Sequence, residues 1–276
     1  MSVFSLLVGL GLAAFAAGCL RKAVRYARMP AHVRWELYPV PHGPLGQART
    51  IAEEIVTLRM VRERNPRLWL PSLSFHYGLY LLFSLGAALL ASALLTAAGL
   101  HVRWLEGSPL LSIWGGLGIA AGLFGALGLL VRRSLDSGIR ASSTPGDFVN
   151  LSFTLALFAV SGATWLVADR DYAGAGAFLT AMCRGRGAVA ASPWVLAEVL
   201  LLGAFLAYLP ATHMTHFFGK WFTWHAVRWN EDPVVKGGAL ELEMQRLLGG
   251  PIHWSASHIG ADGAKTWADV ATEDRP

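Results

Sequence analysis

The histidines of this sequence are the residues whose spacing most directly suggests chemistry. His76 lies in the segment Ser74–Gly78. His213 and His216 lie in Pro210–Phe218. A neutral imidazole nitrogen is a strong ligand for zinc and for iron. The three-residue spacing of His213 and His216 puts both rings on one helix face and would suit zinc. No Cys, Asp or Glu nearby in the sequence completes a zinc site.

The composition is that of a membrane protein. Of 276 residues, 54% are hydrophobic and 15% are charged, whereas soluble domains carry about 25% charged residues. The net charge is +5, and the basic residues cluster beside apolar runs, which favours a membrane surface over nucleic acid. The two cysteines, Cys19 and Cys183, form no CxxC motif. They therefore indicate neither a disulfide framework nor an iron–sulfur or zinc site.

Five segments are apolar over the roughly 20 residues that a membrane span requires. They are Ser2–Leu20, Ser72–Leu100, Leu110–Val131, Phe148–Ala168 and Pro193–Phe218. We therefore predict an all-α integral membrane protein, a bundle of five transmembrane helices. The first segment has basic residues after it and none before it, which predicts an uncleaved anchor rather than a signal peptide. Ala16–Cys19 only faintly resembles a lipoprotein cleavage site.

Basic residues predict the orientation of the bundle. Residues 21–70 carry ten Lys/Arg against four Asp/Glu, and the loop around Arg132 and Arg133 is also basic. The loop Asp169–Ser192 holds three arginines, which weakens this bias without reversing it. Basic loops stay in the cytoplasm, so the N-terminus is expected outside and the C-terminus in the cytoplasm.

The chain is expected to divide into a transmembrane domain, residues 1–218, and a cytoplasmic tail, residues 219–276. The tail is polar and rich in aromatic residues, and it is too short for a core of its own, so we expect it to dock on a partner. Pro39–Pro44 interrupts any helix between the first two spans. Ala52–Glu63 is expected to form an amphipathic helix on the membrane surface.

This topology places His76 and His216 at similar depth, a turn or two below the cytoplasmic surface. Ionisable side chains inside a span are costly and usually face the bundle interior. A haem iron in an electron-transfer site takes two strong axial ligands, and two neighbouring helices can supply one histidine each. We therefore predict a b-type haem between the second and fifth spans, with His76 and His216 as ligands and His213 as the alternative ligand.

Several neighbours of these histidines fit a haem site. The small residues Gly78 and Gly86 would let a flat macrocycle approach the second span. Lys220 and Arg228 are placed to pair with haem propionates. The alternative is that each histidine is an interfacial polar residue, as we expect for His225. The others are expected to be solvated, namely His32, His42, His101, His253 and His258.

Four motifs resemble a known family. Phe75–Gly78 resembles the haem-ligand segment of the respiratory nitrate reductase gamma subunit, a five-helix cytochrome b. Arg140–Asp147 resembles that family's loop before the fourth helix, and Pro210–Phe218 resembles the ligand segment closing its fifth helix. The extension Lys220–Trp229 is more similar to a branch of relatives. These are the cytochrome b subunits of membrane-bound heterodisulfide reductases and of sulfate-reducer transmembrane electron-transfer complexes.

The resemblance also implies how many haems are bound. The family's best-known member holds two haems with four histidines, and the inner pair corresponds to His76 and His216. The outer pair would fall on Gly86 and Glu198, neither of which replaces such a ligand. The resemblance therefore implies one haem, near the cytoplasmic side, and His101 could serve an outer haem only by folding back into the bundle.

Glu198 lies about one turn inside the outer end of the fifth span. One interpretation is an interfacial carboxylate that reaches toward water. The other is a proton acceptor for quinol chemistry, since a carboxyl group in a low-dielectric site can exchange protons. In a straight helix it would stand about 27 Å from His216, which is long for direct electron transfer. A quinone site near the inner haem is at least as plausible.

We expect this chain to be a haem b subunit that transfers electrons between the quinone pool, with menaquinone as the quinone, and a cytoplasmic iron–sulfur subunit. The resemblance implies a partner like the heterodisulfide reductase catalytic subunit, and the chemistry at the final substrate would belong to that partner. We expect a multi-pass protein of the inner (cytoplasmic) membrane, in contact with lipid and with no nucleic-acid partner. The alternatives are a haem-free structural anchor and a proton-coupled transporter.

Overall fold

Four of the long apolar helices begin with a polar side chain followed by proline. Asn65, Ser108, Thr144 and Ser192 each accept a hydrogen bond from a backbone N–H of the first helical turn. Such side chains satisfy N–H groups that have no partner within the helix, and proline is tolerated there because it lacks the N–H that would be unpaired. The pattern sets where these helices begin, and the second span begins at Pro66, six residues earlier than predicted.

The computed structural model describes residues 2–28, 43–100, 108–185, 191–219, 222, 235–252 and 263–273. The helices with described bounds are α1 (Val3–Arg28), α2 (Gly43–Thr57), α3 (Arg59–Arg64), α4 (Pro66–Ala97), α5 (Pro109–Leu135), α6 (Ser137–Ala141), α7 (Pro145–Val167), α8 (Ala173–Cys183), α9 (Pro193–Tyr208), α10 (Ala239–Leu248) and α11 (Trp267–Thr272). Across these described ranges there is no β-strand, and one isolated bridge joins Pro251 to Thr266.

Five helices are, by length and composition alone, able to cross a membrane. They are α1, α4, α5, α7 and α9, the last extended by a short turn to Ala211. The prediction of an all-α protein with five membrane-spanning segments is therefore confirmed as far as helix length and composition show it. The orientation of the termini stays a prediction.

Glycines bring α4 and α5 into close contact. A Cβ atom added at Gly78 would lie 2.4 Å from the Cα atom of Gly122, and one added at Gly125 would lie 2.2 Å from the backbone nitrogen of Phe75. Small residues of this kind let two membrane helices pack backbone against backbone, where van der Waals contact supplies the attraction. This helix pair carries His76, so its close packing fixes the frame on which that side chain sits.

The fifth apolar helix is shorter than its hydrophobic run. α9 ends at Tyr208, and two 3-10 turns follow, at Leu209–Ala211 and His213–Thr215. Pro210 explains the change, because proline has no N–H to donate into the helix and its ring collides with the carbonyl one turn earlier. The α-helix therefore stops ten residues before Phe218, the end of the predicted fifth span.

The segment between the fourth and fifth spans, interpreted from the sequence as a loop, contains the helix α8. Asp169 starts it, because its two carboxylate oxygens accept hydrogen bonds from the N–H groups of Gly174 and Ala175, each at 2.8 Å. At 11 residues, α8 is about 16 Å long and too short to cross a bilayer core of about 30 Å. It therefore adds no further span.

Three side chains of α4 bind the last turn of α2. Trp69, Tyr77 and Tyr80 donate hydrogen bonds to the backbone carbonyls of residues 55–57, at 2.7 to 3.2 Å. The last carbonyls of a helix have no partner within it, so these bonds satisfy them. The predicted surface helix is consequently two helices, α2 and α3, divided at Leu58, whose φ is 47°.

The chain divides into two compact units. The first comprises Met1–Lys22 and Ile51–Thr215, and the second comprises Ala23–Thr50 and His216–Pro276. Within the second unit, the ring of Tyr26 packs against those of Phe218 and Phe222, with centroid distances of 6.4 and 5.8 Å. The second unit therefore joins residues 23–50 to most of the predicted cytoplasmic tail.

Candidate functional site

His76 lies in the first unit, on the third turn of α4, and its ring is half-buried. Its Nδ1 atom is 2.7 Å from the backbone carbonyl oxygen of Ser72. A carbonyl oxygen can only accept, so we assign the ring proton to Nδ1. In the neutral ring, Nε2 then carries the lone pair. Metal-binding histidines in proteins have this arrangement, in which one ring nitrogen donates to a backbone carbonyl and the other binds the metal.

Aromatic rings hold the His76 ring from two sides. The Phe75 ring meets it edge-on at a centroid distance of 5.6 Å, and the Tyr80 ring lies at 6.1 Å. Phe75 is itself buried against Phe158 of α7. These contacts limit the orientations of the half-buried ring and place aromatic side chains beside it.

The two glycines near His76 have different surroundings. Gly78 packs against Gly122 of α5, so its small size serves the contact between helices and not the approach of a cofactor. A Cβ atom added at Gly86 would have no neighbour within 4 Å. Only Gly86 therefore presents an open backbone surface on α4.

His213 has a carboxylate partner. Its Nε2 atom lies 3.3 Å from Oδ1 of Asp147, at the start of α7, and its side chain is 63% exposed. Asp147 also closes the capping box of α7 with Thr144 and lies 3.8 Å from the Arg133 guanidinium. The described contacts thus place His213 in a surface network of charges.

His216 begins the second unit, in helical residues 216–219, and its side chain is exposed. His76 belongs to the first unit, so the pairing of these two histidines stays a prediction. Lys220 and Arg228 lie outside the described residues. The same holds for the remaining histidines, which are His32, His42, His101, His225, His253 and His258.

Among the residues that the structure describes, no three His, Cys, Asp or Glu side chains come together as a metal-binding group. A haem site held by two histidines needs no such group, because the porphyrin supplies the other four nitrogen ligands. The geometry around His76 is therefore the observation that bears on a haem ligand.

Glu198 faces the interior of the bundle. Its half-buried side chain lies against the hydroxyl groups of Ser161 and Thr164 on α7, both of which are buried. An interfacial carboxylate would point out toward water, so these contacts argue against that interpretation. The interpretation as a proton acceptor for quinol chemistry stays a prediction. The fifth helix also stops being α-helical at Tyr208, so the straight 27 Å rise from Glu198 to His216 does not apply.

Two polar residues that the sequence reasoning missed lie near Glu198. Asp169 is buried and bonded to the first N–H groups of α8, and Tyr172 is buried with its hydroxyl against Gly115. That hydroxyl has no hydrogen-bond partner among the described residues. Burial, and then the negative charges of Glu198 and Asp169, raise the pKa of Tyr172. The sequence signal for this group was Asp169, a helix-capping residue type placed before an alanine- and glycine-rich run.

No family model matches this chain, and no curated protein matches it. The family resemblance of the four motifs therefore stays an expectation, and the function must be argued from the site itself.

Proposed function

We propose that this chain is the membrane-spanning cytochrome b subunit of a respiratory electron-transfer complex. It binds one b-type haem near the cytoplasmic side, with His76 and His216 as axial ligands. It transfers electrons between the quinone pool, with menaquinone as the quinone, and a cytoplasmic iron–sulfur subunit. The protein lies in the inner (cytoplasmic) membrane, with its N-terminus outside and its C-terminus in the cytoplasm.

The hydrogen bond from His76 Nδ1 to the Ser72 carbonyl carries this proposal. It supports the tautomer in which Nε2 carries the lone pair that would bind the iron, on a half-buried ring inside a membrane helix. A histidine that served only as an interfacial polar group would gain by directing a nitrogen to water. In this protein, Nδ1 of His76 instead donates its hydrogen bond to the Ser72 carbonyl, within α4.

The choice of His216 over His213 rests on their surroundings. The Nε2 atom of His213 lies 3.3 Å from Oδ1 of Asp147, so a carboxylate already occupies the nitrogen that would bind iron. His216 follows a buried, hydrogen-bonded stretch that ends at Thr215. We therefore assign His216 as the second ligand and His213 to the surface network.

The roles of the chain's own residues follow from this assignment. A bound haem supplies a one-electron carrier whose potential depends on ligand bonding and burial. His76 and His216 would hold the iron. The Ser72 carbonyl orients the His76 ring, and Phe75 covers one side of it. Lys220 and Arg228 would neutralise the propionates. Each interconversion of quinone and quinol moves two electrons and two protons, so a one-electron carrier held by these residues would have to act twice for each quinone.

The proposal includes one haem per chain and an iron–sulfur centre on a separate subunit. Gly86 and Glu198 stand where an outer pair of ligands would be needed, and neither can bind iron in that role. The chain has two cysteines in different helices, too few to hold an iron–sulfur cluster. The partner, which resembles the heterodisulfide reductase catalytic subunit, docks on the basic segment between the first two spans and on the tail.

One observation favours a second candidate. The interior position of Glu198, with Ser161 and Thr164 beside it, is typical of a proton path in a membrane protein, as in a proton-coupled transporter. Against it, the sequence has no strong internal repeat of the kind that many transporters show. A haem-free anchor is the remaining alternative.

The experiment that tests the proposal is a reduced-minus-oxidised spectrum of membranes containing the full chain. We expect dithionite and a reduced naphthoquinone, menadiol, each to produce the α band of a b-type cytochrome. A band that dithionite produces and menadiol does not would refute the quinone link. No band with either reductant would leave the transporter and the anchor as the candidates.

A further inference from the structure

A lysine of α1 holds the irregular stretch that follows α9. Lys22 Nζ donates a hydrogen bond to the backbone carbonyl of Thr212 at 2.6 Å and another to the hydroxyl of Thr215 at 2.9 Å. Both threonines are buried. Lys22 lies 190 positions from Thr212 and 193 positions from Thr215 in the sequence. These contacts are therefore specific to the folded protein.

The same face of α1 packs against this stretch one turn earlier. A Cβ atom added at Gly18 would lie 2.5 Å from Cβ of Pro210. Gly18 and Lys22 are four residues apart and therefore share a helix face. Together they contact both ends of residues 210–215, in which the 3-10 turns replace the α-helix.

The contact explains why a lysine is needed at position 22. A helix that ends at a proline leaves carbonyl groups without intrahelical partners, and a cation near its C-terminus satisfies them and opposes the helix dipole. Within the described ranges the hydrogen-bond partners of Lys22 are two neutral oxygens, and no carboxylate pairs with it. No carboxylate among the described residues therefore cancels its positive charge.

We propose that Lys22 is a positioning residue for the haem ligand His216. Thr215, which Lys22 binds, is the residue immediately before His216 in the chain. Fixing Thr215 fixes where the ligand's backbone begins and so restricts the orientation of its ring on the iron. The uncancelled charge also favours the reduced haem, because reduction adds an electron to the site. This inference rests on the proposed function.

The test compares Lys22→Met with Lys22→Arg and with Arg21→Met in the purified full chain. Arg21→Met removes the same charge from the exposed neighbouring residue of α1. We expect Lys22→Met to lower the haem midpoint potential in a redox titration and to shift the low-spin ferric g values in electron paramagnetic resonance. Lys22→Arg should restore both toward the wild-type values, and Arg21→Met should change neither.

Thr215→Val provides a second measurement, since it removes one hydrogen bond of Lys22 and keeps the charge of the lysine. We expect shifted g values with a smaller change in potential than Lys22→Met causes. If Lys22→Met fails to retain haem, the g values of Thr215→Val test whether Lys22 positions His216. Wild-type potential and g values in both variants would overturn the inference while leaving the proposed function intact. A wild-type chain without haem would overturn the proposed function and this inference together.

Discussion

Nδ1 of His76 and the backbone carbonyl of Ser72, one turn apart on α4, are joined by a hydrogen bond of 2.7 Å. The bond lies within a single helix, so it does not depend on how the two units of the protein are arranged. It assigns Nδ1 as the donor, so Nε2 is the nitrogen that would bind iron in the proposed haem site. The proposed haem site rests on this hydrogen bond. The number of haems, one, rests on Gly86 and Glu198, which stand where the family resemblance would place the outer pair of histidines.

The first prediction concerns the glycines of α4. Gly78→Ala places a methyl group against the backbone of Gly122, which must shift, and overpacking of this kind costs about 1–3 kcal/mol. Gly86→Ala is the matched control, because the added methyl group has open space on the same helix. We expect thermal unfolding of the purified chain to show a lower Tm for Gly78→Ala alone. Equal Tm values for the two variants would contradict the packing described for α4 and α5.

The second prediction concerns Glu198. Glu198→Gln keeps a polar side chain against Ser161 and Thr164, whereas Glu198→Leu leaves the buried Ser161 hydroxyl facing an apolar group. Thr164 keeps its hydrogen bond to the Val160 carbonyl. Loss of a partner for a buried polar group costs about 1–3 kcal/mol. We expect Glu198→Leu to lower the Tm and Glu198→Gln to leave it near the wild-type value.

Both Glu198 variants should keep the wild-type haem content, because the single haem of the proposal lies at the other end of the bundle. Loss of haem in Glu198→Gln would place Glu198 at a haem site and refute that assignment.

The third prediction concerns Asp147 and His213. Asp147→Ala removes the capping box of α7 and the contact with His213, and loss of such caps costs about 1 kcal/mol. His213→Ala removes the contact with Asp147 alone, and at 63% side-chain exposure this contact should contribute little. We expect the Tm to fall for Asp147→Ala and to change little for His213→Ala. A larger fall in Tm for His213→Ala than for Asp147→Ala would show that His213 has a structural role beyond this network.

The fourth prediction concerns the pH dependence of α11 in the tail. Hydrogen bonds from the backbone and hydroxyl of Thr266 hold the pKa of Asp269 below its usual range. A carboxyl group whose pKa is lower in the folded state stabilises that state above its unfolded pKa of about 4, and the contribution is lost as the pH falls through the folded pKa. We expect amide exchange in residues 267–272 to quicken relative to the rest of the tail below about pH 4. Asp269→Asn should exchange quickly at every pH, and a pH-independent wild-type pattern would contradict this cap.

The five spans were predictable because each is an uninterrupted apolar run of about 20 residues, a property of composition. Their boundaries depend on single residues. The Asn65–Pro66 pair starts α4 earlier than hydropathy suggests, and Pro210 ends α9 within an apolar run. The short helix α8 was missed because 11 residues rich in Ala and Gly give no length signal and no clear helical period.

The polar neighbours of the candidate sites could not be read from the sequence. Tyr172 and Glu198 are brought together by tertiary packing, as are Lys22 and Thr215, and no local pattern encodes either pair. His76 was identified because a histidine within an apolar run is uncommon. Its hydrogen bond to Ser72 follows from the i, i−4 geometry of a helix, but only the structure shows that the side chain uses it.

The central claim, one haem held by His76 and His216, is tested most directly by a pyridine haemochrome assay of haem per mole of purified chain. The assay compares the wild type with His76→Ala, His216→Ala and His213→Ala. The account predicts one haem b in the wild type and in His213→Ala, and none in the other two variants. Two haems in the wild type, or loss of haem in His213→Ala with retention in His216→Ala, would contradict it.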